Sequence, residues 1–249
     1  MIGTEKAFAS MSAQYSTRKA FLTYVDPHSM SYDEKGMPYN LFDVWTNRGE
    51  DSSKLTWEPQ WALMSSSGDM GVTMGPWEYR ASRSDSTIIA QGYFSTVWRK
   101  HPDGFWKAVF DLGISCPEIQ SVLRSGVSKK VLTRQRHRKR IKPSALEKKA
   151  WQETKDNGMR SLLSHMDEQA WLNLTGYSPF HGRETIREGL AKIPADLYFE
   201  SGSYLLSQDR ELAVFFGTTH SESRGQKGYL CVWINTARGE WKIALLVIH

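Results

Sequence analysis

The chain has 249 residues, 40% of them hydrophobic and 24% charged, a globular balance that excludes disordered and fibrous classes. No run approaches the ~18 uncharged apolar residues of a membrane-spanning helix. Two cysteines, Cys116 and Cys231, are too few for a disulfide framework or a zinc site of their own. The net charge of +5 is local: residues 129–142 hold eight Lys or Arg and no acid, which leaves 24 basic against 27 acidic residues elsewhere.

In chain order, Phe8, Met11 and Tyr15 recur at spacings of three and four and predict an opening helix. The first fourteen residues lack the basic start and apolar core of a secretory signal, so the expectation is a cytoplasmic chain, or an exported one if its start has been trimmed. Alternating apolar residues from Leu55 onward predict strands, and His101-Pro102-Asp103-Gly104 supplies a hairpin turn before a strand that ends near Gly113. The basic run follows, within a linker expected at 117–142. Pro143, Ser144 and Glu147 then read as a helix start with a capping box. Met159, Leu162, Leu163 and Met166 continue at helical spacing. A short strand is expected at 170–174 and a short helix in HGRETIREGL. Four strands close the chain at about 196–206, 211–220, 228–235 and 240–248, the last two joined at Thr236-Ala237-Arg238-Gly239. Successive hairpins predict an antiparallel sheet, and helices before strands predict an α+β fold.

An internal repeat organises these elements. Val97-Trp98, Gly104 and Trp106-Lys107 recur 135 residues later as Val232-Trp233, Gly239 and Trp241-Lys242. Upstream, LTWEPQWALMS (55–65) aligns with LYFESGSYLLS at an offset of 142, which also pairs Gly75 with Gly217 and Met70, Val72 and Met74 with Leu212, Val214 and Phe216. The fall from 142 to 135 places seven fewer residues in the second copy's intervening hairpin, where a length change costs little. The chain reads as a tandem duplication: a first domain at 1–116, the basic linker, and a diverged second copy at 143–249.

LTWEPQWALMSSSGDMGVTMGPWEYR and GYFSTVWRKHPDGFWKAVFDLG in the first copy, with HGRETIREGL and GYLCVWINTARGEWKIALL in the second, resemble the nuclear-transport-factor-2-like superfamily. The likeness is to its SnoaL-like and ketosteroid-isomerase-like members, in a small, uncharacterised and often bacterial branch. It implies two cone-shaped domains, each with N-terminal helices packed against a curved antiparallel sheet and a ligand pocket at the mouth. Related domains dimerise through the sheet, so the resemblance also implies an internal pseudo-dimer or a homodimer. The first copy departs from the pattern: NLFDVWTNRGED stands in place of HGRETIREGL and lacks its Gly-x-x-x-Ile lead-in.

Strand alternation nominates pocket residues. Met70, Val72 and Met74 share a face that runs on to Glu78, and the matching face of the second copy ends at His220, so both are candidates for a pocket mouth. Asp111 stands among apolar neighbours, where a carboxylate gains a raised pKa and could serve as a general base. Its counterpart is Leu246. Trp98 and Trp106 repeat as Trp233 and Trp241 and read as structural; Trp57 and Trp77 have no tryptophan counterpart and are the better pocket candidates, with Tyr79 beside them. No dinucleotide or P-loop motif, metal-ligand spacing or nucleophile elbow is present, and no cofactor or metal is expected. The leading expectation is a protein that binds a small apolar or amphipathic molecule in an aromatic-lined pocket. The alternatives are an isomerase, cyclase or hydrolase using Asp111 with Glu78 or Tyr79, and a non-catalytic interaction module. Nucleic-acid binding would rest on the linker alone and is not expected.

Overall fold

Helix α1 spans Ile2–Gln14 and α2 spans Thr17–Tyr24. They part at Ser16, which turns extended and accepts the Lys19 amide on its hydroxyl at 2.9 Å, an N-cap. Strands β1 (Val25–Tyr32) and β2 (Pro38–Asn40) follow, then a short helix α3 (Leu41–Asn47). The expected lead-in is missing there, but Asn40 replaces it by accepting the Asp43 amide at 3.0 Å. Next come β3 (Lys54–Trp57), β4 (Trp61–Met64), β5 (Met70–Arg80), β6 (Ala90–Lys100), β7 (Trp106–Ser115) and β8 (Ser128–Val131). The second half runs α4 (Pro143–Asn157), a 3-10 turn (Met159–Ser164), β9 (Met166–Leu174), β10 (Phe180–His181), α5 (Arg183–Leu190), β11 (Tyr198–Leu206), β12 (Leu212–Ser221), β13 (Gly225–Asn235) and β14 (Trp241–Ile248). This computed structural model describes residues 1–119, 126–133 and 142–249. Most of the basic run, 134–141, lies outside the described residues.

The fold is α+β, with one sheet ordered β2-β1-β7-β6-β5-β4-β8, β3 pairing β5, and a second ordered β10-β9-β14-β13-β12-β11. Both sheets are mixed rather than purely antiparallel. The hairpin-linked strands run antiparallel as expected, but β1 runs parallel to β7 and β9 to β14. A first strand that reaches the last one through helices and other strands is free of the reversal a tight hairpin imposes. Strand β8, inside the expected linker, adds a parallel edge beside β4. The capping box at Ser144 does not form: Lys142 is the N-cap and makes no side-chain cap bond, and Glu147 turns inward and is buried.

Apolar faces sort the elements into layers. Phe8, Ala20 and Phe21 pack with Trp98 and Ala108 between the helices and the first sheet. Trp151, Leu162, Ile186 and Leu190 do the same for the second. The opposite faces of the two sheets meet each other: Met70, Val72, Met74, Phe110 and Leu112 share one core with Leu212, Val214, Phe216, Val232 and Val247. Phe110 and Phe216 stack across it with ring centroids 4.6 Å apart.

Two local devices shape this arrangement. Gly75 lies where β3 gives way to β4, and a Cβ there would stand 1.9 Å from the Glu58 carbonyl oxygen. Its repeat partner Gly217 faces the register shift between Ser201 and Ser203, with the Glu200 carbonyl 2.3 Å from a Cβ. Both glycines admit a backbone approach that bends the neighbouring strand. At one end of the shared core the β4–β5 and β11–β12 turns exchange reciprocal bonds. The Ser67 amide donates to Asp209 at 2.7 Å and the Gln208 amide donates to Asp69 at 3.1 Å. Desolvation would raise the Asp209 carboxyl, but donors from Ser207, Ser66 and two backbone amides outweigh it and hold it at about 2. Cys116 and Cys231 are free and buried, and among the described residues no helix is long and apolar enough to cross a membrane.

Candidate functional site

The helix-facing side of the first sheet does not close on itself. Helices α1 and α2 contribute Phe8 and Phe21, β3 contributes Leu55 and Trp57, and β5 contributes Trp77. Phe94 and Thr96 on β6 and Asp111 and Gly113 on β7 complete the wall of a cavity of about 230 Å³. The rings lock one another: Phe8 meets Trp57 edge-on at 4.7 Å and Phe21 at 4.9 Å. Trp77 is held by its indole N–H, which donates to the Ile114 carbonyl at 3.2 Å.

Among the described residues Asp111 is the one titratable residue lining this cavity. It is half-buried, and Thr96 donates to its Oδ1 at 2.6 Å. Burial pushes its carboxyl up to about 6, against the lowering effect of the Thr96 bond. Asp111 and Gly113 also border a second recess of about 560 Å³ with Ser31, Tyr39 and Val44.

A second acid lies behind the wall. Glu5 of α1 is fully buried and accepts from the indoles of Trp57 at 2.7 Å and Trp98 at 2.9 Å, and from Thr73 at 2.5 Å. Burial raises it to about 7, partly offset by those donors, and the nearby Asp111 adds to the rise. Glu5 therefore sets the plane of Trp57 and shares the field of Asp111. It sits on a helix, outside the strand alternation that nominates pocket residues. The repeat marks it: the offset of 142 carried to the N-terminus pairs Glu5 with Glu147.

The second half fills the same space. Position by position, Leu246 stands for Asp111, Ile248 for Gly113, Tyr229 for Phe94 and Phe199 for Trp57, all buried. Trp151, where the first half has Ala9, stacks on Phe199 at 3.8 Å. Larger side chains replace a glycine, an alanine and an acid, and these positions pack into one core.

The remaining candidates lie elsewhere. The face of Met70, Val72 and Met74 is turned to the other sheet, so Glu78 and His220 end an inter-sheet stripe and not a pocket stripe. Alternation found the shared face correctly but could not say which layer covers it. Glu78 pairs with Arg80 at 2.6 Å and borders a groove with Thr56, Glu58 and Pro76 that shares Trp57 and Trp77 with the cavity. His220 contacts Glu200 at 3.0 Å and stacks on Tyr198. Tyr79 is not part of the cavity wall. Among the described residues no three His, Cys, Asp or Glu side chains gather as metal ligands.

No protein-family model matches the chain, and no curated protein matches its sequence. Solved structures similar to it are nuclear-transport-factor-2-like and ketosteroid-isomerase-like. A ketosteroid isomerase-like protein from Erwinia carotovora atroseptica SCRI1043 aligns at 14% identity over 42% of this chain and 90% of its own, with a TM-score of 0.35. A protein of unknown function of the nuclear-transport-factor-2-like type from Pseudomonas putida KT2440 aligns at 12% identity over 42% of this chain and 81% of its own, at 0.36. Nuclear transport factor 2 from Cryptosporidium parvum aligns at 12% identity over 43% and 89%, at 0.36.

Proposed function

We propose that the first half, taken as a domain ending near residue 116, is a receptor for a small amphipathic molecule. The apolar body lies among the rings of Phe8, Phe21, Trp57, Trp77 and Phe94, and the polar end meets Asp111. The observation that carries this reading is a preformed aromatic cavity with one carboxylate on its wall, the usual form of a small-molecule site. The second half, taken from residue 143, serves as its structural partner, with an interior packed by its own side chains.

Titration with p-cresol, followed by tryptophan fluorescence, tests the proposal. Gly113→Leu is the blocking variant, since a Cβ at Gly113 comes no nearer than 3.6 Å to Trp77 and the rest of the side chain enters the cavity. Saturable quenching in the wild type that disappears in Gly113→Leu supports the receptor. An unresponsive wild type, or quenching that survives in the variant, overturns it.

A second reading follows from the Asp111 carboxyl at about 6. A base poised near neutrality can accept a proton from a weak carbon acid bound against it. On this reading Asp111→Asn abolishes turnover of any substrate found for the protein, and unchanged turnover in that variant removes it.

A further inference from the structure

The cavity holds more negative potential than a neutral ligand would use. Five of its nine described wall residues are aromatic, and the face of an aromatic ring attracts a positive charge. Among the described residues its one titratable wall residue is an acid, a second acid stands behind Trp57, and no Lys, Arg or His lines it. A carboxylate withdrawn from water without a counter-charge is costly, and a bound cation relieves that cost.

We propose that the cavity receives a small alkylated ammonium ion, its charge enclosed by the rings and balanced by Asp111. This deepens the receptor reading and rests on it. The choice among cations follows from hydrogen-bond counting. A primary ammonium brings three N–H donors that need acceptors, whereas a quaternary ammonium brings none. Among the described wall residues the side-chain acceptors are Asp111 and Thr96; Thr96 already donates to Asp111, and the Trp57 and Trp77 indoles donate to Glu5 and the Ile114 carbonyl. An anion would meet two acids and no base. A bare metal ion would lack ligands, since no donor cluster gathers among the described residues.

The test compares choline with 3,3-dimethylbutan-1-ol, its neutral isostere with carbon in place of nitrogen, by calorimetry on the full chain at pH 8. The two probes match in shape and differ in charge. Choline is expected to bind about tenfold more tightly or better, a preference typical of a desolvated aromatic site. Asp111→Asn is expected to lose most of that preference while keeping the isostere. Equal affinity, or a preference for the isostere, overturns the cation assignment and leaves the receptor reading standing. Absence of binding by both probes also overturns the cation assignment, and the p-cresol titration then judges the receptor reading separately. A preference that persists undiminished in Asp111→Asn overturns the role of that carboxylate as counter-ion.

Discussion

Glu5 and Glu147 occupy the same point of the repeat, 142 residues apart, and each buries its carboxylate beneath the first helix of its half. Their partners differ. Glu5 holds the indoles of Trp57 and Trp98, and Trp57 walls a cavity. Glu147 accepts the Tyr229 hydroxyl at 2.7 Å, and Tyr229 meets Trp151 and Phe199 edge-on in a filled interior. One inherited acid thus organises an open interior in the first half and a closed one in the second.

The buried acids predict a pH dependence of stability. Burial raises Glu5 from 4.5 to about 7 and Asp111 from 3.8 to about 6, so the folded state binds protons more tightly than the unfolded chain. Their stabilising effect is complete below the unfolded values and is lost as pH rises through 6 to 7. Asp209, held at about 2, acts in the opposite sense only at more acid pH. Urea unfolding between pH 4.5 and 8 should show stability falling with pH, with Glu5 contributing about 3 kcal/mol of the fall. Glu5→Gln should flatten the curve; equal slopes in the two proteins would contradict the assignment.

Two glycines of the first sheet should respond differently to alanine. A Cβ at Gly75 collides with the Glu58 carbonyl, which is backbone and cannot swing aside, so Gly75→Ala should cost about 3 kcal/mol or more. A Cβ at Gly113 makes only ordinary contact, and Gly113→Ala should stay within about 0.5 kcal/mol of wild type. Chemical denaturation of the two variants measures the difference.

The core shared by the sheets predicts that the halves unfold together. Calorimetry should show one transition with matching calorimetric and van't Hoff enthalpies. Phe216→Ala removes a ring stacked on Phe110 and should destabilise that single transition by about 3–5 kcal/mol. Two separate transitions in the wild type would show that the inter-sheet core does not couple the halves.

Indole positioning yields a further prediction. Glu5→Ala removes the acceptor of Trp57, whose N–H is left short of a partner at a cost of about 1–3 kcal/mol, while Trp98 keeps its second acceptor, Thr73 at 2.9 Å. The fluorescence of the variant should shift as Trp57 loses its fixed orientation, with weaker p-cresol binding. Unchanged binding would mean that Glu5 does not set the cavity wall.

Much of the fold was legible because the duplication preserved what folding needs: Trp98 and Trp233, Gly75 and Gly217, and the hairpin turns at Gly104 and Gly239. The last four strands of the second half lie within a few residues of their expected places. Parallel pairing of β1 with β7 was not legible, since no local signal records which distant strand lies alongside. Trp57, Trp77 and Asp111 were nominated from missing counterparts and apolar surroundings, and they meet at one cavity. Glu78 and His220 end the inter-sheet face rather than the helix-facing one, because alternation defines two faces without naming the layer on each. Glu147 was misread as a cap because Ser-x-x-Glu spacing is local, whereas its partner Tyr229 is 82 residues away.

On the proposed function, a small molecule enters the first half and not the second. Indole ¹⁵N–¹H spectra of the full chain during a p-cresol titration test it most directly, because tryptophans mark both interiors. Saturable shifts of Trp57 and Trp77 are expected, with Trp151 and Trp233 unmoved. Shifts confined to Trp151 and Trp233, or no shift of Trp57 and Trp77 at saturating ligand, would contradict it.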